Sequence, residues 1–138
     1  MEFVDTSVLL YAYDSSAGRF HDVARELVGR LGRARQGAIS VQVLQEFYVN
    51  AVAKIAVRLT PEQARGRLVV LSRWATHSPM AGDVLAASAI SEDNGISFWD
   101  AMIVRSAGEL GCPRLWTQDL NDGQVIAGVR IANPFAEH

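Results

Sequence analysis

Apolar segments only three or four residues long alternate with longer stretches of helical periodicity, and this rhythm restricts the fold more than any other feature. Glu2 to Asp5, Gly37 to Ser40, Pro113 to Trp116 and Val129 to Ala132 read as short strands. Between them lie a helical turn around Ser7 to Tyr13 and helices over Phe20–Arg33, Val41–Ile55, Pro61 to about Ala75, Asp83–Asn94 and Ser97 to near Gly111. Short strands separated by helices imply an α/β sandwich with a mainly parallel sheet. Such sheets place their ligand sites beyond the carboxyl ends of the strands.

Local signals agree with this division. Thr60 is a candidate N-cap with Pro61 behind it, Gly95 stops the helix that begins at Asp83, and Asn121-Asp122-Gly123 forms a turn. In Val41–Ile55 the residues Leu44, Phe47, Tyr48, Ala51, Val52 and Ile55 form one apolar stripe. The other side carries Val49, Ala53 and Ala56, so this helix is expected to be covered on both sides, by its own chain or by a second copy.

Composition removes several classes. With 138 residues, 49% of them apolar, the chain can bury a core without staples. A single cysteine, Cys112, rules out a disulfide framework, and no Cys/His spacing fits zinc. The longest strongly apolar run, Val84 to Ile90, is far short of a membrane span, and the opening residues lack the pattern of a secretory signal. A cytoplasmic location is therefore expected. The net charge of −2 conceals an asymmetry. Five arginines face two acids between Arg19 and Arg35, and five basic residues face Glu62 alone between Lys54 and Arg73. Either these are solvated helix faces or they hold phosphates, which arginine forks suit.

Four acids stand out, each with an ordinary explanation. Asp5 closes the first strand and is placed to cap a helix. Asp100 follows Ser97 in an S-x-x-D arrangement, Glu46 lies opposite the apolar stripe of its helix as an exposed side chain, and Asp119 adjoins a turn. Taken together, Asp5 and Asp119 both follow strands at the end where parallel sheets build sites, and Asp100 opens a helix whose dipole favours its charge. Carboxylates converging there would repel one another unless a cation neutralised them. An all-oxygen set selects Mg²⁺ or Mn²⁺, and the chemistry that suits is phosphodiester hydrolysis.

The segments F-V-D-T-S-V-L-L-Y-A-Y-D (Phe3–Asp14), L-Q-E-F-Y (Leu44–Tyr48), I-S-F-W-D-A-M-I-V (Ile96–Val104) and L-W-T-Q-D-L-N-D-G-Q followed by G-V-R-I-A-N-P-F occur in this order. The set resembles the motifs of PIN-domain nucleases, especially bacterial VapC-type toxins. That resemblance implies a single PIN-like domain over residues 1–138, an α/β/α sandwich with a short-stranded, mainly parallel central sheet. It also implies a metal-dependent endoribonuclease, the toxin of a type II toxin–antitoxin pair, leaving 5′-phosphate and 3′-hydroxyl ends. Asp5, Glu46, Asp100 and Asp119 would be its catalytic and metal-binding acids. Asp5 and Asp100 would hold Mg²⁺ or Mn²⁺, Asp119 would complete the site directly or through water, and Glu46 would orient the attacking water or bind a second metal. Thr6 and Thr117 would support these carboxylates, with Asp122 a weaker candidate. The implied partners are RNA, a VapB-like antitoxin that blocks the acidic site, and a second copy in a homodimer.

Other readings remain. A free-standing PIN nuclease without an antitoxin would carry the same motifs, and a non-catalytic RNA- or partner-binding module would not need all four acids. A phosphoacceptor receiver domain wants a lysine near its acids, and the single lysine, Lys54, falls in a helix region. His21, His77 and His138 match no motif and are expected on the surface or in packing. Trp99 and Trp116 flank the acidic motifs, either as core residues or as platforms for unpaired bases.

Overall fold

A computed structural model describes residues 1–137; His138 lies outside them. Its elements in chain order are β1 (Glu2–Val4), α1 (Thr6–Tyr13), a 3-10 turn at Ser15–Ala17, α2 (Arg19–Ala34), β2 (Gly37–Ser40), α3 (Val41–Ala53), α4 (Pro61–Leu71), β3 (Ala75–His77), α5 (Ala81–Asn94), α6 (Phe98–Glu109), β4 (Arg114–Trp116), β5 (Val125–Ile126) and β6 (Val129–Ala132).

The six strands lie in the order β3-β2-β1-β4-β6-β5. All neighbours pair in parallel except β5 with β6. Phe3 sits opposite Ala38 on one side and Leu115 on the other, which fixes the central register. Phe3, Val4, Ala38, Ile39, Leu115 and Ile131 are fully buried, as a sheet covered on both faces requires. Right-handed crossovers from β1 to β2 to β3 put α1 to α4 on one face, and the return to β4 puts α5 and α6 on the other. Helix α6 packs across β2, β3, β4 and β6. The expected sandwich is therefore present.

Two elements differ from the sequence reading. The segment read as helix to about Ala75 leaves the helix at Leu71, and Ala75–His77 becomes edge strand β3. Thr76 hydrogen-bonds the Trp74 carbonyl at this break. Strand β5 was not anticipated, because two residues carry no periodicity; it folds back onto β6 through Ala127 and Gly128, both at positive φ. The local signals hold: Thr60 and Gln63 form a reciprocal capping box, Gly95 is left-handed, and Ser97 caps α6. Helix α3 is covered on one side only. Val43, Phe47 and Ala51 are buried, whereas Val49 is 50% exposed and Ala53 and Ala56 are open.

Candidate functional site

The strand order turns back on itself at β1: β2 lies on one side, β4 on the other. A crevice therefore opens beyond the carboxyl ends of β1 and β4. Asp5 is the first residue after β1 and caps α1, with Oδ1 accepting the Thr6 N–H at 2.7 Å. Its Oδ2 accepts the Thr117 hydroxyl at 2.8 Å, and Thr117 is the first residue after β4. The Thr117 hydroxyl in turn accepts the Asp119 N–H at 3.1 Å, which fixes the start of that loop.

Glu46 stands in the second turn of α3, which Ser40 caps at the end of β2. Its Oε1 accepts from the Thr6 hydroxyl at 3.4 Å and from Gln42 Nε2 at 3.1 Å. Contrary to the expectation of a plainly exposed side chain, Glu46 is half-buried, because α1 presents Thr6 to it. Asp100 occupies the first turn of α6 and donates its N–H to the Ser97 hydroxyl at 3.1 Å. Asp100 and Asp119 face a common cavity of about 330 Å³ that Ser97, Asn121 and Gln124 also line.

The electrostatics join these groups. Asp5 is only 5% exposed, and its pKa is pushed up to about 7 from 3.8. Burial is the largest cause; the Thr117 hydroxyl opposes it, and the charges of Asp119 and then Glu46 add to it. Glu46 is raised by burial, against hydrogen bonds from Gln42 and Thr6, with Asp100 and Asp119 adding repulsion. Asp100 is raised by burial and by Asp119, partly offset by Ser97. Among the described residues no ion pair involves any of the four acids. The structure thus places Asp119 and Glu46 within electrostatic reach of both Asp5 and Asp100, with no basic side chain among the described residues ion-paired to any of the four. Oxygen-only donors in mutual repulsion fit a hard divalent cation of the Mg²⁺ or Mn²⁺ kind.

The PIN domain family model matches residues 3–124. The chain belongs to this family. The PIN fold also appears in solved structures that resemble it. One is a toxin–antitoxin complex from Klebsiella pneumoniae (TM-score 0.72, 21% identity, 98% of each chain). Another is DNA-bound VapBC from Salmonella typhimurium (TM-score 0.67, 20% identity, 97% of this chain and 98% of that one). A third is Mycobacterium tuberculosis VapC20, described as a Sarcin-Ricin loop cleaving toxin (TM-score 0.65, 17% identity, 94% and 99%). Among curated proteins no relative matches.

The remaining sequence candidates in this PIN domain separate. Thr6 and Thr117 touch the acids as described. Asp122 does not join them: it is exposed and accepts the Asn133 N–H at 2.9 Å, so it fastens the turn to the segment after β6. Trp99 is 65% exposed beside Asp100, which excludes a core role, whereas Trp116 packs against the core and donates its indole N–H to Glu2 at 3.0 Å. His21 hydrogen-bonds the Tyr11 carbonyl at 2.9 Å.

The two arginine-rich stretches lie on facing helices. Arg25 of α2 and Arg67 of α4 line a cavity of about 380 Å³ with Tyr13 and His21. Further along, Arg35 and Arg73 line one of about 510 Å³ with Trp74. Among the described residues none of these four arginines is ion-paired.

Sequence reasoning missed two features. Gln42 spans from Glu46 to the Trp99 carbonyl at 3.2 Å, tying α3 to the start of α6; its i, i+4 spacing from Glu46 was the available signal. At the far end of α6, His77, Asp83 and Glu109 bring ligand atoms within 4.8 Å of one another, the one such group among the described residues. Arg105 already donates to Asp83 at 2.9 Å and Glu109 at 3.0 Å, and His77 meets Ser106 at 2.8 Å, so this cluster is an ion-pair network.

Proposed function

We propose that this protein is a divalent-metal-dependent endoribonuclease that acts as the toxin of a VapBC-type toxin–antitoxin pair, as a single domain spanning residues 1–138. The observation that carries this reading is Asp5: a buried carboxylate at the strand-order reversal, pushed up to about 7, repelled by Asp119 and Glu46 and with no basic partner among the described residues. A protein tolerates such repulsion where a cation relieves it.

In this reading Asp5 and Asp100 hold the ion, Asp119 completes the site directly or through water, and Glu46 orients the attacking water or takes a second ion. The chemistry supplied by a bound Mg²⁺ or Mn²⁺ is activation of water and stabilisation of the leaving oxygen, leaving 5′-phosphate and 3′-hydroxyl ends. Thr117 and Thr6 hold the Asp5 and Glu46 oxygens in place. The cleft between α2 and α4, where Arg25, Arg67, Arg35 and Arg73 make no ion pair among the described residues, suits a phosphate backbone. Exposed Trp99 suits stacking on an unpaired base.

The VapBC complexes among the similar structures support a VapB-like antitoxin as partner, covering the acidic crevice. The uncovered side of α3, with Val49, supports a homodimer contact. No described helix is long and apolar enough to cross a membrane, in keeping with a cytoplasmic site of action.

The test is cleavage of RNA by the purified protein. We expect Mg²⁺- or Mn²⁺-dependent cleavage that stops with chelator. Asp5→Ala and Asp100→Ala should each lower it by about 100-fold or more, equivalent to a few kcal/mol of transition-state stabilisation, with circular dichroism unchanged. Equal activity in both variants and the parent would overturn the assignment.

A further inference from the structure

Beside the acidic crevice lies a second cavity of about 230 Å³, lined by Ser7, Leu10, Tyr11, Asp14, Ile55 and Gln118. It adjoins the acids through the chain itself. Ser7 is two residues past Asp5, Gln118 lies between Thr117 and Asp119, and the Gln118 N–H donates to the Ser7 hydroxyl at 3.3 Å. Its volume is below the roughly 300–1,000 Å³ of a whole-ligand pocket, so it suits one part of a larger ligand.

The lining has two characters. Leu10, Tyr11 and Ile55 supply apolar wall, and Tyr11 is braced edge-on by Phe20 and Phe135 at centroid distances of 5.2 and 5.1 Å. A ring held in this way loses little freedom when a flat partner packs on it. Asp14 and Gln118 supply the polar part. Asp14 is 9% exposed and caps the 3-10 turn through Oδ1 alone, which accepts the Ser16 N–H at 3.0 Å and the Ser16 hydroxyl at 2.6 Å. Among the described residues Oδ2 has no hydrogen-bond partner. This oxygen reaches solvent and, as a carboxylate oxygen, only accepts, so it favours an N–H or O–H donor on whatever displaces water from it. Its charge also keeps phosphate out of this cavity.

We infer that this cavity is a specificity pocket for one nucleobase next to the scissile phosphate, and that it takes a base with an exocyclic amino group in preference to uracil. The inference rests on the nuclease reading above. An amino group on adenine, cytosine or guanine donates to Asp14 Oδ2, as cytosine N4 does to acidic side chains. Uracil turns carbonyl oxygens toward the same carboxylate on either side of its one N–H. The Gln118 side-chain amide, which makes no hydrogen bond within the described residues, offers a donor and an acceptor to the rest of the base edge.

The experiment is cleavage of a randomised single-stranded RNA library by the full chain with Mg²⁺ or Mn²⁺, followed by sequencing of the ends. The parent should show one position flanking the cut where amino-bearing bases exceed uracil by about tenfold, the worth of one discriminating hydrogen bond. Asp14→Asn keeps a capping oxygen and offers an amide donor, and should reverse that preference toward uracil; Gln118→Ala should flatten it. Thermal melts show whether each variant is folded. Cleavage by all three proteins with the same base distribution at every flanking position overturns the pocket and leaves the nuclease standing.

No cleavage by the parent overturns the nuclease reading. The pocket is then judged by nuclear magnetic resonance titration of the parent with cytidine and uridine. Shifts at Tyr11, Ile55 and Gln118 with cytidine and weaker ones with uridine support a base site. Silence with both, or equal response to both, overturns it.

Discussion

Thr117 donates its hydroxyl to Asp5 Oδ2 at 2.8 Å, joining the first residue after β4 to the first residue after β1. Both side chains are buried, so without that hydroxyl the carboxylate loses a donor that water cannot readily replace. Thr117→Val should cost about 1–3 kcal/mol in urea denaturation. It should also weaken Mg²⁺ or Mn²⁺ binding by about 10–100-fold in a calorimetric titration. Thr117→Ser, which retains the donor, should restore most of the metal affinity. Unchanged affinity in Thr117→Val would detach this residue from the site.

The raised pKa of Asp5 makes the metal-free protein sensitive to pH in a defined direction. A carboxyl group at about 7 when folded and 3.8 when unfolded binds its proton more tightly in the native state. Stability therefore falls as pH rises between about 4 and 7, by a few kcal/mol in order of magnitude, and levels off above that window. In chelator, the melting temperature should be lower at pH 8 than at pH 5. Asp5→Asn keeps an oxygen for the Thr6 cap and should flatten the profile while raising the melting temperature at pH 8. A parent profile already flat from pH 4 to 8 would contradict the repulsion argued here.

Asp83 behaves in the opposite sense. The Met80 N–H, the Arg105 guanidinium and His77 hold its carboxyl below the usual carboxylate range. Its contribution is present above the unfolded value of 3.8 and is lost as pH falls through the lower folded one. Asp83→Asn should lower the melting temperature at pH 7, by a margin that shrinks below pH 4, and leave RNA cleavage intact. Loss of cleavage in a folded Asp83→Asn protein would show that this network reaches the site.

Gly37 begins β2 directly against the face of the Trp74 ring, where a Cβ would approach closer than real Cβ atoms do. Gly37→Ala should destabilise the protein by about 1–3 kcal/mol through overpacking. Pairing it with Trp74→Ala should recover part of that loss, a coupling that a double-mutant cycle measures directly. Additive losses would show that the two residues do not constrain each other.

Most of the element order was legible in the sequence because it rests on local signals, with β3 and β5 the exceptions. Asp5, Ser97 and Thr60 are caps, and Gly95 is a stop, whatever the rest of the chain does. What was not legible depends on partners far away in sequence. Nothing around Glu46 announces that Thr6, forty residues earlier, will half-bury it. Ala75–His77 is strand rather than helix because β2 offers it a free edge, which its own three residues do not encode. Trp99 and Trp116 are alike in sequence, and only the approach of Glu2 and the core to one of them separates an outward ring from a packed one.

Helix α6 carries Asp100 in its first turn, while Ser106, further along the same rod, is pinned to the edge strand by His77. A rod clamped at one end cannot slide, tilt or turn without shifting its tip. The seating of the helix that carries Asp100 thus depends partly on a hydrogen bond to the edge strand, six residues further along from that carboxylate.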